Sequence, residues 1–77
     1  PGMVQVTADD IKVLAKDNSA DPVLILANGQ ILVVPGAEAT PDQIVYSKAE
    51  LAEEYGVDLT EAEAGLAASN LTALIEE

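Results

Sequence analysis

The side chains that could do chemistry in this chain are fourteen carboxylates, three lysines, three serines and two tyrosines. Histidine, cysteine and arginine are absent. A serine nucleophile needs an adjacent base, and Ser19, Ser47 and Ser69 have no histidine to serve them. A carboxylate pair working as general acid and base needs one member raised in pKa by burial, and no acid here falls inside an apolar run. Lys12, Lys16 and Lys48 each sit where an exposed helix residue would. No glycine-rich phosphate loop is present. Without cysteine or histidine, a structural zinc site is not expected. Asp17-Asn18-Ser19-Ala20-Asp21 alternates side-chain oxygens as a calcium loop begins. Such a loop requires glycine at its sixth position and a bidentate glutamate at its twelfth, and Pro22 and Asn28 stand there instead. The segment reads as a loop of Asx-turns. The expectation is a protein that is not an enzyme, with no catalytic, cofactor-binding or metal-binding residue.

The distribution of acids is more informative than their number. The formal net charge is −11. From Asp42 to Glu77 there are nine acids against Lys48 alone, a net −8, and six of them, Glu50, Glu53, Glu54, Asp58, Glu61 and Glu63, fall within fourteen residues. Affinity for DNA is built from lysine and arginine contacts to phosphate, so direct binding to nucleic acid is not expected, nor is binding to an anionic membrane. A protein partner, basic in character, suits this charge. These six residues form the candidate partner-binding face. Carboxylates so placed can also mimic nucleic-acid phosphates and occlude the basic site of a DNA-binding protein. The competing reading is a solvated face that keeps the protein soluble. Glu50 and Glu54, four apart on one helix, repel by about 0.2–0.5 kcal/mol.

The elements that must position these residues come from a single domain spanning 1–77, since 77 residues leave room for one. Hydrophobic residues make up 49% of the chain but only Tyr46 and Tyr55 are aromatic, so the core must be built from Val, Ile, Leu and Ala. No apolar run approaches the roughly 18 residues of a membrane span. No signal peptide is visible, and a cytoplasmic location is expected. Pro1-Gly2 reads as the remnant of a cleaved tag ahead of Met3.

Met3–Val6 is expected to form a short strand. Thr7 caps a helix over Ala8 to about Asp17, with Asp10 completing a weak capping box and Ile11, Leu14 and Ala15 as the buried stripe. Val23–Ala27 and Gln30–Val34 flank Asn28-Gly29, the residue pair best suited to a type I′ turn, and predict a β-hairpin. Pairing outward from the turn sets Ala27 opposite Gln30, Ile25 opposite Leu32 and Val23 opposite Val34, with Leu26 opposite Ile31 and Leu24 opposite Val33 on the other face. Both faces are apolar. Val23, Ile25, Leu32 and Val34 are expected to meet the helices. That leaves Leu24, Leu26, Ile31 and Val33 for self-association, with a homodimer narrowly favoured over a three-layer monomer covered on both faces. Gln43–Tyr46 fits either a strand or a helix start, the extended form being favoured. Ser47 opens a helix over Lys48–Tyr55 that Gly56 terminates. Thr60 and Glu63 form a capping box for a last helix to about Ile75. Gly65 inside it suggests close backbone packing among its small neighbours. The helical C-terminal part thus covers 47–76.

Leu51-Ala52-Glu53-Glu54-Tyr55-Gly56-Val57-Asp58 resembles the first helix and turn of helix-turn-helix DNA-binding families, over Lys48 to Ile75. That resemblance implies a DNA-binding regulator, but a recognition helix presents Arg, Lys, Asn or Gln to base edges, and here it opens Glu61-Ala62-Glu63. A two-helix packing unit without DNA binding is the stronger reading. Ser47–Leu51, with a looser match over Asn70–Ile75, is also similar to the short helix-loop-helix modules of the LEM or SAP-like kind often appended to phage proteins. The fold class expected is α+β: a small antiparallel sheet built on the 23–34 hairpin, the first strand added to one edge and about three short helices packed on it. The function expected is a non-enzymatic protein-interaction domain, of an accessory or adaptor type found in phage or bacteria.

Overall fold

The computed structural model describes residues 4–56 and 58–75. Met3 of the expected first strand, Val57 of the helix-turn-helix-like motif, the Pro1-Gly2 pair and Glu76-Glu77 lie outside them. Three α-helices and a three-stranded antiparallel sheet make an α+β fold in the order α1 (Ala8–Lys16), β1 (Pro22–Ala27), β2 (Gln30–Pro35), β3 (Ile44–Ser47), α2 (Lys48–Tyr55) and α3 (Glu61–Ile75). Two 3-10 turns, Gly36–Glu38 and Pro41–Gln43, carry the chain from β2 to β3.

The hairpin has the register its turn dictates: Val23 faces Val34, Leu24 faces Val33, Ile25 faces Leu32, Leu26 faces Ile31 and Ala27 faces Gln30. Asn28 and Gly29 both take positive φ, 54° and 76°, as a type I′ turn requires. At the open end of the hairpin the Gly36 N–H donates to the Ala20 carbonyl at 3.3 Å. A Cβ at Gly36 would stand 2.8 Å from the Asp21 carbonyl oxygen, so a glycine is what lets the two segments touch.

The edge of the sheet is not where the sequence suggested. Strand order is β2-β1-β3, and β3, not the N-terminal segment, pairs with β1. Gln43–Tyr46 therefore resolves into the end of a 3-10 turn followed by strand. Val4–Thr7 forms no strand. The Val6 N–H donates instead to the Thr72 hydroxyl at 2.9 Å, so the segment is tied to α3. The β1–β3 register slips between Leu24, opposite Tyr46, and Ile25, opposite Ile44. Val45 is the extra residue of this bulge, and bulges bend a strand and re-aim its side chains. Tyr46 and Val45 both end up against the core.

The two faces of the sheet are exchanged relative to expectation. Leu24, fully buried, joins Val6, Ile11, Leu14, Tyr46, Leu51, Ala64, Ala67, Ala68 and Leu71 in one core, with Ile31 and Val33 packed against it. Leu26 is half-buried. The set Leu24, Leu26, Ile31 and Val33 thus lies toward the helices and cannot form a free self-association surface. Val23 and Ile25 are buried on the opposite side, flanked by Leu32, 44% exposed, and Ile44, 38% exposed. Both hairpin faces are equally apolar, so alternation alone carries no preference. The choice follows from β3, which places Tyr46 beside Leu24 and runs directly into α2. The three-layer arrangement is also absent: α1, α2 and α3 all contribute to the single core on one side of the sheet.

Helix ends follow the sequence. Thr7 and Asp10 exchange the two bonds of a capping box, as do Thr60 and Glu63, at 3.0 and 3.1 Å. The Ser47 hydroxyl accepts the Glu50 N–H at 3.1 Å. Gly56 ends α2 at φ 83°. Gly65 departs from expectation, since a Cβ there would meet no heavy atom within 4 Å. The small residues of α3 pack close at Ala64, Ala67 and Ala68, which are buried. α2 lies on the sheet while α3 packs chiefly against α1, so the last two helices do not form the tight pair that the helix-turn-helix-like motif implied.

Candidate functional site

The site begins with α2. Its eight residues bury Leu51 and leave Glu50, Glu53 and Glu54 exposed. One turn separates Glu50 from Glu54, which puts both on the side nearest α3. Between them and α3 lies a groove of about 210 Å3, lined by Val45, Tyr46, Glu50, Glu54, Tyr55, Ala67, Asn70, Leu71 and Leu74. Its floor and one wall are apolar, and Leu74 is 62% exposed. Its rim carries the two carboxylates and the Asn70 amide. Glu50 also accepts a hydrogen bond from the Ser47 hydroxyl at 3.1 Å.

Tyr46 is the unusual member. It is 6% exposed, yet its hydroxyl, closed from solvent, makes no well-formed hydrogen bond among the described residues. Buried polar groups are nearly always paired, because leaving one unpaired costs about 1–3 kcal/mol. Burial, then the negative charge of nearby Glu54 and a hydrogen-bonding pull from the same carboxylate, push the phenol well above its ordinary 10.0, with Tyr55 and Glu50 adding to the effect. The phenol is therefore protonated at neutral pH, as a donor and acceptor held beside two carboxylates.

Of the six acids singled out from the sequence, Glu50 and Glu54 line this groove, while Glu53 and Asp58 are exposed outside its lining. Glu61 is ion-paired to Lys12, and this hydrogen bond raises the Lys12 pKa. Glu63 is used in the capping box with Thr60. Lys48 donates to the Asp17 carbonyl oxygen at 2.6 Å. Two of the three lysines are therefore engaged by the protein itself. The Asp17 carboxylate accepts the Ser19 N–H at 2.7 Å, forming an Asx-turn. The Ser19 hydroxyl and N–H hold its pKa below the ordinary carboxylate value.

Glu50 and Glu54 stand out in the sequence by their charge; Tyr46, Tyr55, Asn70, Leu71 and Leu74, which line the same groove, do not. The signal for Tyr46 was weak: an aromatic residue in a segment that read as either strand or helix. A wider depression of about 500 Å3 runs between Gln5–Ala8 and α3, but its lining carries no titratable side chain. Among the described residues no charged side chain is buried, and no cluster of three or more His, Cys, Asp or Glu is placed to hold a metal. No helix among them is long and apolar enough to cross a membrane. Comparison with protein-family models, curated proteins and solved structures finds no significant match to this chain.

Proposed function

We propose that this chain is a non-catalytic protein-interaction domain that receives a basic partner on the acidic side of α2. The observation that carries the reading is the exposure of Glu50, Glu53 and Glu54 beside an apolar groove, in a protein of net charge −11. An exposed apolar surface rimmed by charge is a usual form for a binding site, and a strong negative potential speeds encounter with a basic protein. Affinity capture with two baits tests it: the wild type and the variant with Glu50, Glu53 and Glu54 all changed to Gln. A basic protein held by the first bait and lost from the second supports the proposal. Identical captures with both baits refute it.

A second surface supports a second partner. The side of the sheet turned away from the helices exposes Leu32 and Ile44 around the buried Val23 and Ile25, and β2 is an edge strand among the described residues. A two-fold pairing of copies would cover the same surface on each chain, and this is the face we assign to self-association.

A further inference from the structure

We infer that the groove between α2 and α3 is a receptor for one arginine side chain of a basic partner segment, with Glu50 and Glu54 receiving the guanidinium and the Tyr46 hydroxyl completing its hydrogen bonds. This rests on the reading of α2 as a partner-binding surface and names what the partner inserts there. Three features converge. Leu71 and Leu74 offer an apolar track for an aliphatic stem, and long basic side chains cover apolar surface while keeping the charged head in polar surroundings. Glu50 and Glu54 place two carboxylates one helical turn apart at the rim. The Tyr46 hydroxyl is the one buried side-chain polar atom among the described residues without a well-formed hydrogen bond, the Glu54 carboxylate coming close enough only for a weak one. A phenol oxygen accepts a hydrogen bond from a cationic N–H, and the tyrosine rings add a cation–π surface.

The choice of arginine over lysine follows from geometry. Two carboxylates and a phenol present several acceptors spread across the groove, which a planar fork of five donors can serve together and a compact ammonium cannot. The hydroxyl is closed from solvent. The exposed Glu50 and Glu54 side chains can rotate outward to admit the guanidinium, which then donates to the Tyr46 oxygen while the weak approach of Glu54 is given up.

Titration of the isotopically labelled full chain with N-acetyl-arginine methylamide, followed by NMR, tests the inference. The lysine and citrulline methylamides serve as comparators. A single side chain should bind weakly, with Kd on the order of 1 mM. Saturable shifts are expected at Tyr46, Tyr55, Asn70, Leu71 and Leu74, weaker with lysine and absent with citrulline. Tyr46→Phe should keep the fold and melt no lower than the wild type, yet weaken arginine binding by about tenfold. Shifts spread evenly over Asp9, Asp58 and Glu61 would overturn the groove assignment while leaving an acidic docking surface standing. Citrulline binding as well as arginine, no saturable shift at all, or unchanged affinity in Tyr46→Phe would also overturn it. So would a lower melting temperature in that variant, because it would show the hydroxyl already paired within the fold. Docking of a basic protein on α2 is tested independently by the capture experiment.

Discussion

The Thr72 hydroxyl accepts the Val6 N–H at 2.9 Å, joining residues 66 apart in sequence. The same hydroxyl lies 2.9 Å from the Ala68 carbonyl oxygen and 3.2 Å from that of Val6, and its single proton serves one of them at a time. This bond occupies the donor that a strand over Met3–Val6 would have given to the sheet. Thr72→Val keeps the shape and removes the acceptor, leaving the Val6 N–H unpaired at the edge of the core. The expected cost is about 1–3 kcal/mol in urea denaturation, with faster hydrogen exchange at Val6 than at β1.

Two glycines should respond in opposite directions. A Cβ at Gly65 meets nothing within 4 Å, so Gly65→Ala should stabilise the protein by about 1 kcal/mol through helix propensity alone. A Cβ at Gly36 would meet the Asp21 carbonyl oxygen at 2.8 Å. Gly36→Ala should therefore destabilise by about 1–3 kcal/mol. Thermal melts of the two variants beside the wild type measure both.

The exchange of sheet faces makes a sharp contrast between Leu24 and Leu32. Leu24 is fully buried and Leu32 is 44% exposed. Leu24→Lys should unfold the chain, since it buries an unpaired charge. Leu32→Lys should cost about 1 kcal/mol or less. If copies pair through the open face, net charges of −11 repel one another. Because salt screens that repulsion, pairing should strengthen between low and high ionic strength. Sedimentation of wild type and Leu32→Lys across a salt series reads both effects, and self-association that persists in Leu32→Lys would exclude this face.

Asn28-Gly29 fixed the hairpin and its register, because a two-residue turn with both φ positive admits one pairing. Thr7, Ser47 and Thr60 marked three helix starts, because a cap is chemistry between residues three apart. What failed was long-range. Period-two alternation with apolar residues on both faces has no preference for either, so Leu24 was assigned to the wrong side. The partner of Val6 lies 66 residues away, beyond any local pattern. Of the site, Glu50 and Glu54 were legible as charge. Tyr46 was not, because its burial depends on the bulge at Val45 and on Leu71 arriving from α3.

Tyr46 also predicts a pH dependence. Its phenol is raised above the ordinary 10.0 in the folded protein, chiefly by burial and then by Glu54. The unfolded chain ionises first as pH climbs past that value, so the contribution to stability is whole below pH 10.0 and is lost above it. Phenolate absorbance should show one tyrosine of the native protein resisting ionisation until unfolding. That resistant step should vanish in Tyr46→Phe and in denaturant.

On the proposed reading, the acidic side of α2 receives a basic protein segment. The most direct measurement is the association rate of a decapeptide alternating arginine with leucine, followed by tyrosine emission. Tyr46 and Tyr55 are the only aromatic residues in the chain, and both line the groove. The rate should fall steeply as ionic strength rises from about 0.01 to 0.15 M. It should also fall, with a shallower salt slope, in the variant carrying Gln at positions 50, 53 and 54. Equal rates and equal salt slopes in wild type and variant would contradict the claim and leave these glutamates as solvated surface.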